Sequence, residues 1–511
     1  MLTAIQKEIV EQPGNLVVKA SAGTGKTHTM VEKIAHEIKN QHSHKVIAAI
    51  TFTIKAANEI RNRLSIDARQ HFIGTNNSFA IEEIIKPFIK DVYGKEYKTD
   101  ISTDYSVKIK GFEDGLAQIK EKQLLCSYKN REENFIFQLA FRIVQKSKSC
   151  QLYLKSKYFK IYIDEYQDCD KDMHALFMYL CDDLHIDIFV VGDEKQSIYK
   201  WRGAKPELFI SIWNKENFSK KMLRDNFRSC QQIENYSNLL FEETSCLYSL
   251  VTDISPIVVV CATLDNWSSA VLPHIDVDRR CAILRYRNDD AEANAKAMTS
   301  AGIDFTFIPQ TPISAITTES SWFYTAVANF FILPKYSAYD FRNEIPNSDV
   351  GNKKIINTIK YYLATMKRCI DNNKKLEFTT LAEKLACYFG YKTKKDHCQL
   401  LYDTIVNKNY HPAFRLDNIP RTSLTVHSSK GLEFDQVILF ASDYPLSSDD
   451  EVYNHYVAAT RAKSKLIIFY DVTKGSKDKK FGENIKKILN KSGHKMRELA
   501  TIDEIKRSSA R

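Results

Sequence analysis

The stretch Asn15-Leu16-Val17-Val18-Lys19-Ala20-Ser21-Ala22-Gly23-Thr24-Gly25-Lys26-Thr27-His28 decides how the chain is read. Asn15 to Ala20 is a short, almost unbroken apolar run, the pattern of a central parallel strand covered on both faces. It passes through a turn of small residues into a helical segment that begins near His28. Strand, glycine turn, Lys-Thr and helix are the setting of a phosphate-binding loop. Residues without bulk let backbone N–H groups approach a polyphosphate, and a helix N-terminus favours the anion. On this reading Ala20, Ser21, Ala22, Gly23, Thr24, Gly25 and His28 surround the nucleotide, Lys26 reaches its β- and γ-phosphates, and Thr27 holds Mg²⁺. Ala20 stands where the strict pattern has its first Gly, so support must come from elsewhere in the chain.

Two further strand ends supply it. Phe159 to Ile163 runs straight into Asp164-Glu165-Tyr166-Gln167-Asp168. Carboxylates at the carboxyl end of a buried parallel strand lie where such sheets bind ligands, and they are costly there without a cation or water to serve. Asp164 is expected to order Mg²⁺ and Glu165 to polarise the attacking water. A third strand, Ile188 to Val191, ends in Gly192-Asp193-Glu194-Lys195-Gln196-Ser197-Ile198-Tyr199-Lys200-Trp201-Arg202. Gln196 is placed to sense a γ-phosphate. Tyr199, Trp201 and Arg202 set two aromatics beside a cation, which suits stacking on unpaired bases. Aromatic pairs usually belong to cores, but a Trp between Lys200 and Arg202 in a turn-rich segment reads as surface. Together these elements predict hydrolysis of a nucleoside triphosphate with Mg²⁺.

Strand-like runs fall into two groups. Asn15–Ala20, Lys45–Thr53, Phe159–Asp164 and Ile186–Asp193 make one α/β core; Cys281–Tyr286, Thr422–Val426, Gln436–Ala441 and Lys465–Tyr470 make a second. The divisions expected are 1–79 with 156–219 and 220–310 with 419–511 for the cores, and 80–155 and 311–418 for mainly helical insertions. Two such cores imply a cleft. A chain of 511 residues, 44% hydrophobic and 27% charged, suits several packed units and excludes collagenous, low-complexity and wholly disordered classes. The net charge of +10 suits contact with a polyanion without establishing it. Eleven scattered cysteines without a C-x-x-C pair argue for reduced thiols, and no histidine pattern suggests a protein-held metal. No apolar run reaches the ~18 to 20 residues of a membrane helix, and Lys7, Glu8 and Glu11 interrupt any secretory signal, so a cytoplasmic protein is expected.

In this order, the motifs resemble those of the UvrD and Rep type of superfamily 1 helicases from Gln6 to Lys463. That resemblance implies two RecA-like P-loop cores (1A and 2A) with helical insertions (1B and 2B), ATP as substrate and 3′→5′ travel on DNA. It implies that Gln6 reads adenine and that Thr51-Phe52-Thr53-Ile54-Lys55 and the segment around Thr75 touch DNA. Asn226-Phe227-Arg228-Ser229 resembles the segment whose aromatic packs on adenine and whose arginine reaches the γ-phosphate. Val426-His427-Ser428-Ser429-Lys430-Gly431-Leu432-Glu433 and Tyr456–Ala462 resemble the two late motifs. There Glu433 would touch the ribose, Arg461 would act as a second arginine finger, and His427 would meet DNA. Two forked cations meeting a transferring phosphate would tie hydrolysis to motion.

Segments outside those motifs, Phe72–Asn76, Lys86–Asp91, Asp170–His174 and Phe307–Pro312, are similar to the helicase subunits of Gabija anti-phage systems. This narrower resemblance implies a partner, an OLD-type nuclease with a TOPRIM domain, in a hetero-oligomer. Ile54 stands where helicases of this type usually carry Asn, and Gly74-Thr75-Asn76-Asn77-Ser78 lacks an aromatic and a histidine common in the next DNA segment. Two other readings stay open. One is a regulatory subunit that senses nucleotide or DNA and activates a nuclease without processive unwinding; the other is a stand-alone DNA repair helicase.

Overall fold

Alternation within the apolar runs explains the first sheet. Leu16, Val18, Ala20, Ile47, Ala49, Tyr162, Phe189 and Val191 enter one core, while Val17, Ala48, Ile50, Ile161, Ile163, Ile188 and Val190 enter another. Neighbouring residues of a strand point to opposite faces, so a run that is apolar at every position is covered on both sides. The structure, a computed structural model, describes residues 2–64, 68, 70–316, 318–346 and 353–504.

The chain divides into two compact units. The first comprises Met1–Ala20, Gly25–Leu223 and Gln310–Phe414. Its strands are β1 (Leu16–Ala20), β2 (Val46–Thr51), β3 (Phe72–Thr75), β4 (Ser102–Ile109), β5 (Leu124–Tyr128), β6 (Tyr158–Ile163), β7 (Asp187–Gly192) and β8 (Ser219–Leu223). Six of them form a parallel sheet in the order β3-β2-β6-β7-β1-β8. Helix α1 (Ala4–Glu11) precedes β1, α2 (Lys26–Asn40) follows it, and α3 (Ile54–Arg63) follows β2.

The sequence reading finds the four inner strands and misses β3 and β8. Both lie at the sheet's edges, and β8 is the half-buried Ser-Lys-Lys-Met-Leu, so neither leaves a continuous apolar run. The first insertion is mainly helical, as read, but also carries β4 and β5, which pair in a two-stranded parallel sheet.

The second insertion packs within the first unit. Its helices Ser321–Ile332, Ala338–Glu344, Lys353–Asp371, Lys375–Tyr388 and Lys395–Val406 enclose a core that includes Trp322, Phe323, Phe341, Phe378 and Tyr402. Polar bonds join it to the first insertion. The Tyr105 hydroxyl donates to Glu319 Oε1 at 2.9 Å, the Glu319 N–H donates to Thr103 Oγ1 at 3.1 Å, and Lys394 pairs with the buried Asp104.

The second unit comprises Ser21–Thr24, Arg224–Pro309 and Arg415–Arg511. Its strands are β9 (Ile257–Ala262), β10 (Cys281–Arg285), β11 (Thr306–Phe307), β12 (Arg421–Thr425), β13 (Phe434–Phe440), β14 (Ala462–Asp471) and β15 (Thr501–Glu504). They form a parallel sheet in the order β11-β12-β10-β13-β14-β9-β15. Among the described residues no helix is long and apolar enough to cross a membrane.

Candidate nucleotide and nucleic-acid site

In the first unit, β1 delivers the chain to α2, whose first residue is Lys26 and whose N-cap, Gly25, has φ 80°. Thr27, one residue on, donates from Oγ1 to Asp164 Oδ2 at 3.3 Å, so the hydroxyl after the loop meets the carboxylate at the end of β6. Asp164 is 3% exposed. Burial first, then the neighbouring Glu165, pushes its carboxyl up to about 7 against the pull of Lys26. Glu165 sits in the left-handed region at φ 51°, uncommon for a residue with a side chain and a form of local strain found at working sites.

Gln6 is buried on α1 and completes a capping box: its Oε1 accepts the Thr3 N–H at 3.0 Å, and its own N–H donates to Thr3 Oγ1 at 3.3 Å. His28 is exposed in the first turn of α2. At the end of β7, Gln196 is buried and donates from Nε2 to Asp193 Oδ2 at 2.8 Å. Burial alone would raise the Asp193 carboxyl, but Lys195 and Lys26 outweigh it and hold the carboxyl below its ordinary value.

The aromatic segment that follows is a surface feature. Trp201 is 50% exposed and lies under two guanidiniums, Arg202 at 4.5 Å and Arg131 at 5.7 Å; Arg202 also covers Tyr199 at 5.3 Å. Arg131, from the first insertion, carries no motif signal and was missed. A cavity of about 980 Å³ brings together Phe52, Thr75 and Arg202, three of the residues singled out for nucleic acid, with Lys55, Asn76 and Tyr105 beside them. Tyr199 and Trp201 are not among its lining residues.

The second unit holds the remaining candidates together with the tip of the loop. Ala22 N–H donates to Tyr456 Oη at 3.1 Å, Phe227 N–H donates to the Gly23 carbonyl at 2.9 Å, and the Thr24 hydroxyl donates to the Ser21 carbonyl at 2.8 Å. Gly23 combines φ 80° with a crowded site, since a Cβ there would stand 2.5 Å from Asn226 Oδ1 and 2.9 Å from Arg228 Cβ. Phe227 is 62% exposed. Arg228 donates to Glu433 and, from Nη1, to the Thr460 carbonyl at 3.3 Å. Arg461 is 1% exposed and donates to the carbonyls of Val457 at 2.9 Å and Leu432 at 3.3 Å and to Thr460 Oγ1 at 3.3 Å. His427 packs edge-on against Tyr286 with ring centroids 5.7 Å apart.

Family models match the same regions. Residues 3–202 match the AAA domain and residues 422–469 match the UvrD-like helicase C-terminal domain. The Gabija protein GajB of Bacillus cereus (strain VD045) is 38% identical over 508 residues, which cover 95% of this chain and 97% of that protein. The chain belongs to the GajB family. Beyond GajB, the similarity extends to the ATP-dependent DNA helicase Rep of Escherichia coli (strain K12), 26% identical over 285 residues that make up 46% of this chain and 42% of Rep. It also extends to a probable DNA helicase II homolog of Mycoplasma genitalium, 24% identical over 592 residues, or 88% of this chain and 82% of that one. This GajB-family chain is therefore a UvrD/Rep-like helicase, and its six-stranded and seven-stranded parallel sheets belong to RecA-like P-loop cores.

Proposed function

We propose that the chain is an ATP-dependent DNA helicase or translocase of an anti-phage Gabija system, moving 3′→5′ and working with an OLD-type TOPRIM nuclease subunit in a hetero-oligomer. The observation that carries the reading is the convergence of Thr27 Oγ1 on Asp164 Oδ2 at 3.3 Å, one residue past Lys26, in a chain that is a GajB relative over 95% of its length. Support for the direction, the nuclease and the individual roles below comes from the resemblance of the motifs.

The donor set suits Mg²⁺. The Thr27 hydroxyl and the buried Asp164 carboxyl place two hard oxygen donors 3.3 Å apart, the donor type this ion takes. Thr27 and Asp164 would hold the ion, which supplies charge neutralisation at the polyphosphate when bound. The chain's own residues do the rest. Lys26 binds the phosphates, Glu165 polarises the attacking water and takes its proton, Gln196 senses the γ-phosphate, and Arg228 and Arg461 stabilise the charge that develops there. Gln6, Phe227 and Glu433 hold the nucleoside. Phe52, Thr75, Tyr199, Trp201, Arg202 and His427 grip the strand by stacking and by charge.

The test is ATP turnover by the purified chain, wild type beside Lys26→Ala and Glu165→Ala, without nucleic acid and with single-stranded, blunt and nicked DNA. Strand displacement on 3′- and 5′-tailed duplexes follows, with and without the nuclease. A Lys26→Ala chain with normal DNA-stimulated turnover would sink the assignment.

One observation favours the second reading, a sensing subunit that does not unwind. Ile54, in the segment expected to touch DNA, packs against the core of the second insertion. Turnover without displacement of any tailed or nicked duplex would support it.

A further inference from the structure

Gln167 carries no role in the reading above, yet it is 0% exposed and both ends of its side-chain amide are bonded. Nε2 donates to Glu165 Oε2, and Oε1 accepts the Asp193 N–H at 3.0 Å. Its backbone carbonyl accepts the Ser197 hydroxyl at 3.2 Å. One side chain thus ties the carboxylate after β6 to the first residues after β7. The donor end faces the carboxylate and the acceptor end faces a backbone N–H, so a flipped amide would lose both bonds.

The room for this contact is built into β7. A Cβ on Gly192 would stand 2.6 Å from Gln167 Oε1, so any residue but glycine would push the amide away. The chain beyond is short and continuously bonded. Asp193 accepts Gln196 Nε2 at 2.8 Å and the Lys195 N–H at 3.2 Å. The turn then leads through Ser197 and Tyr199 to the 3₁₀ turn Lys200–Arg202, on which Trp201 is presented to solvent. A displacement of this turn moves the Asp193 N–H or the Ser197 hydroxyl, and Gln167 passes it to the Glu165 carboxylate. A fully bonded buried polar group transmits position because breaking either bond leaves an unsatisfied partner.

We propose that Gln167 is a positioning residue through which a nucleic acid strand held at Trp201 and Arg202 sets the orientation of the Glu165 carboxylate. This inference rests on the assignment of Glu165 above. Its distinctive consequence concerns the ratio of stimulated to basal turnover rather than either rate alone.

The experiment measures ATP turnover by the full chain with and without single-stranded oligo(dT), for wild type, Gln167→Met, Gly192→Ala and Glu165→Gln. Gln167→Met keeps the volume and removes both bonds; Gly192→Ala leaves Gln167 in the chain and displaces its amide. Either should reduce the fold-stimulation by oligo(dT) about tenfold or more, with the KM for ATP and the oligo(dT) affinity within about twofold of wild type. The two variants have separate risks of misfolding, and melting temperature identifies the one to read. Stimulation within twofold of wild type in a folded variant overturns the proposal. So does an equal fall of basal and stimulated rates, or a wild-type chain that no strand stimulates. Glu165→Gln separates the two levels: turnover that survives it sinks the assignment of Glu165 itself, whatever Gln167 does.

Discussion

Arg228 donates from Nε to Glu433 Oε1 at 2.7 Å, although 205 residues separate them in the chain. Burial works against the charge on Glu433, but Arg228 and Lys463 outweigh it and hold the carboxyl below its ordinary value. The guanidinium therefore rests on a carboxylate through Nε and on the Thr460 carbonyl through Nη1. Arg228→Ala should lower kcat for ATP on the order of 10³-fold, the scale of a lost arginine finger, with little change in melting temperature. Steady-state turnover beside thermal unfolding checks this. A variant that keeps half its turnover would leave Arg228 as a structural partner of Glu433 and the Thr460 carbonyl.

Arg461 should behave differently. Its guanidinium is enclosed and holds the carbonyls of Val457 and Leu432 and the Thr460 hydroxyl. Arg461→Ala strands these buried acceptors, and the loss should be about 2–4 kcal/mol in urea unfolding. Lost turnover with unchanged stability would show that the residue serves the nucleotide only.

The two insertions meet at the pair of Asp104, 1% exposed, and Lys394, 45% exposed at its side chain. Asp104 also accepts the Ser106 N–H at 3.1 Å and hydroxyl at 2.6 Å, so its charge is only partly met without the lysine. Lys394→Ala should destabilise the first unit by about 1–3 kcal/mol, since it leaves a buried carboxylate short of its cation. Asp104→Asn with Lys394→Ala should recover part of that loss. A double variant no better than the single one would show that the pair contributes through packing.

Two buried histidines should each cost stability in mild acid. Burial pushes His455 down to about 3 and, helped by Lys215, His174 down to about 4. Both values lie below the ~6.5 of a free imidazole, so the unfolded chain takes up protons that the folded chain refuses. This loss is absent above about pH 7, grows as pH falls through 6.5, and is complete near pH 3. Each ring contributes on the order of 3 kcal/mol over that range. Burial raises the carboxyls of Asp164 to about 7 and Asp478 to about 6, which acts in the opposite sense, so the difference between variant and wild type is the readout. His174→Gln, which keeps a partner for the Tyr166 hydroxyl at 3.0 Å in wild type, should gain melting temperature relative to wild type as pH falls from 7.5 to 4.5. A difference that stays constant with pH would place the acid sensitivity elsewhere.

What could be read from residues alone was whatever local pattern encodes. Most inner strands show as mainly apolar runs because both faces of their sheet are covered, and the loop from Ala20 to Thr27 and the carboxylates after β6 follow them at fixed short spacings. The inner strand β9, apolar from Ile257 to Ala262, is nonetheless missing from that reading. The strands β3, β8, β11 and β15 escaped because an edge strand has one covered neighbour and no continuous apolar run. β4 and β5 escaped because two strands inside a helical insertion leave no wider pattern around them. Only the tertiary structure decided which groups meet. Glu433 faces Arg228, Lys394 reaches Asp104 across 290 residues, Tyr456 bonds the loop tip, and Gln167 joins two strand ends. A side chain's type and neighbours fix its chemistry, but its partner is chosen by how distant segments pack, and nothing in a local window carries that distance.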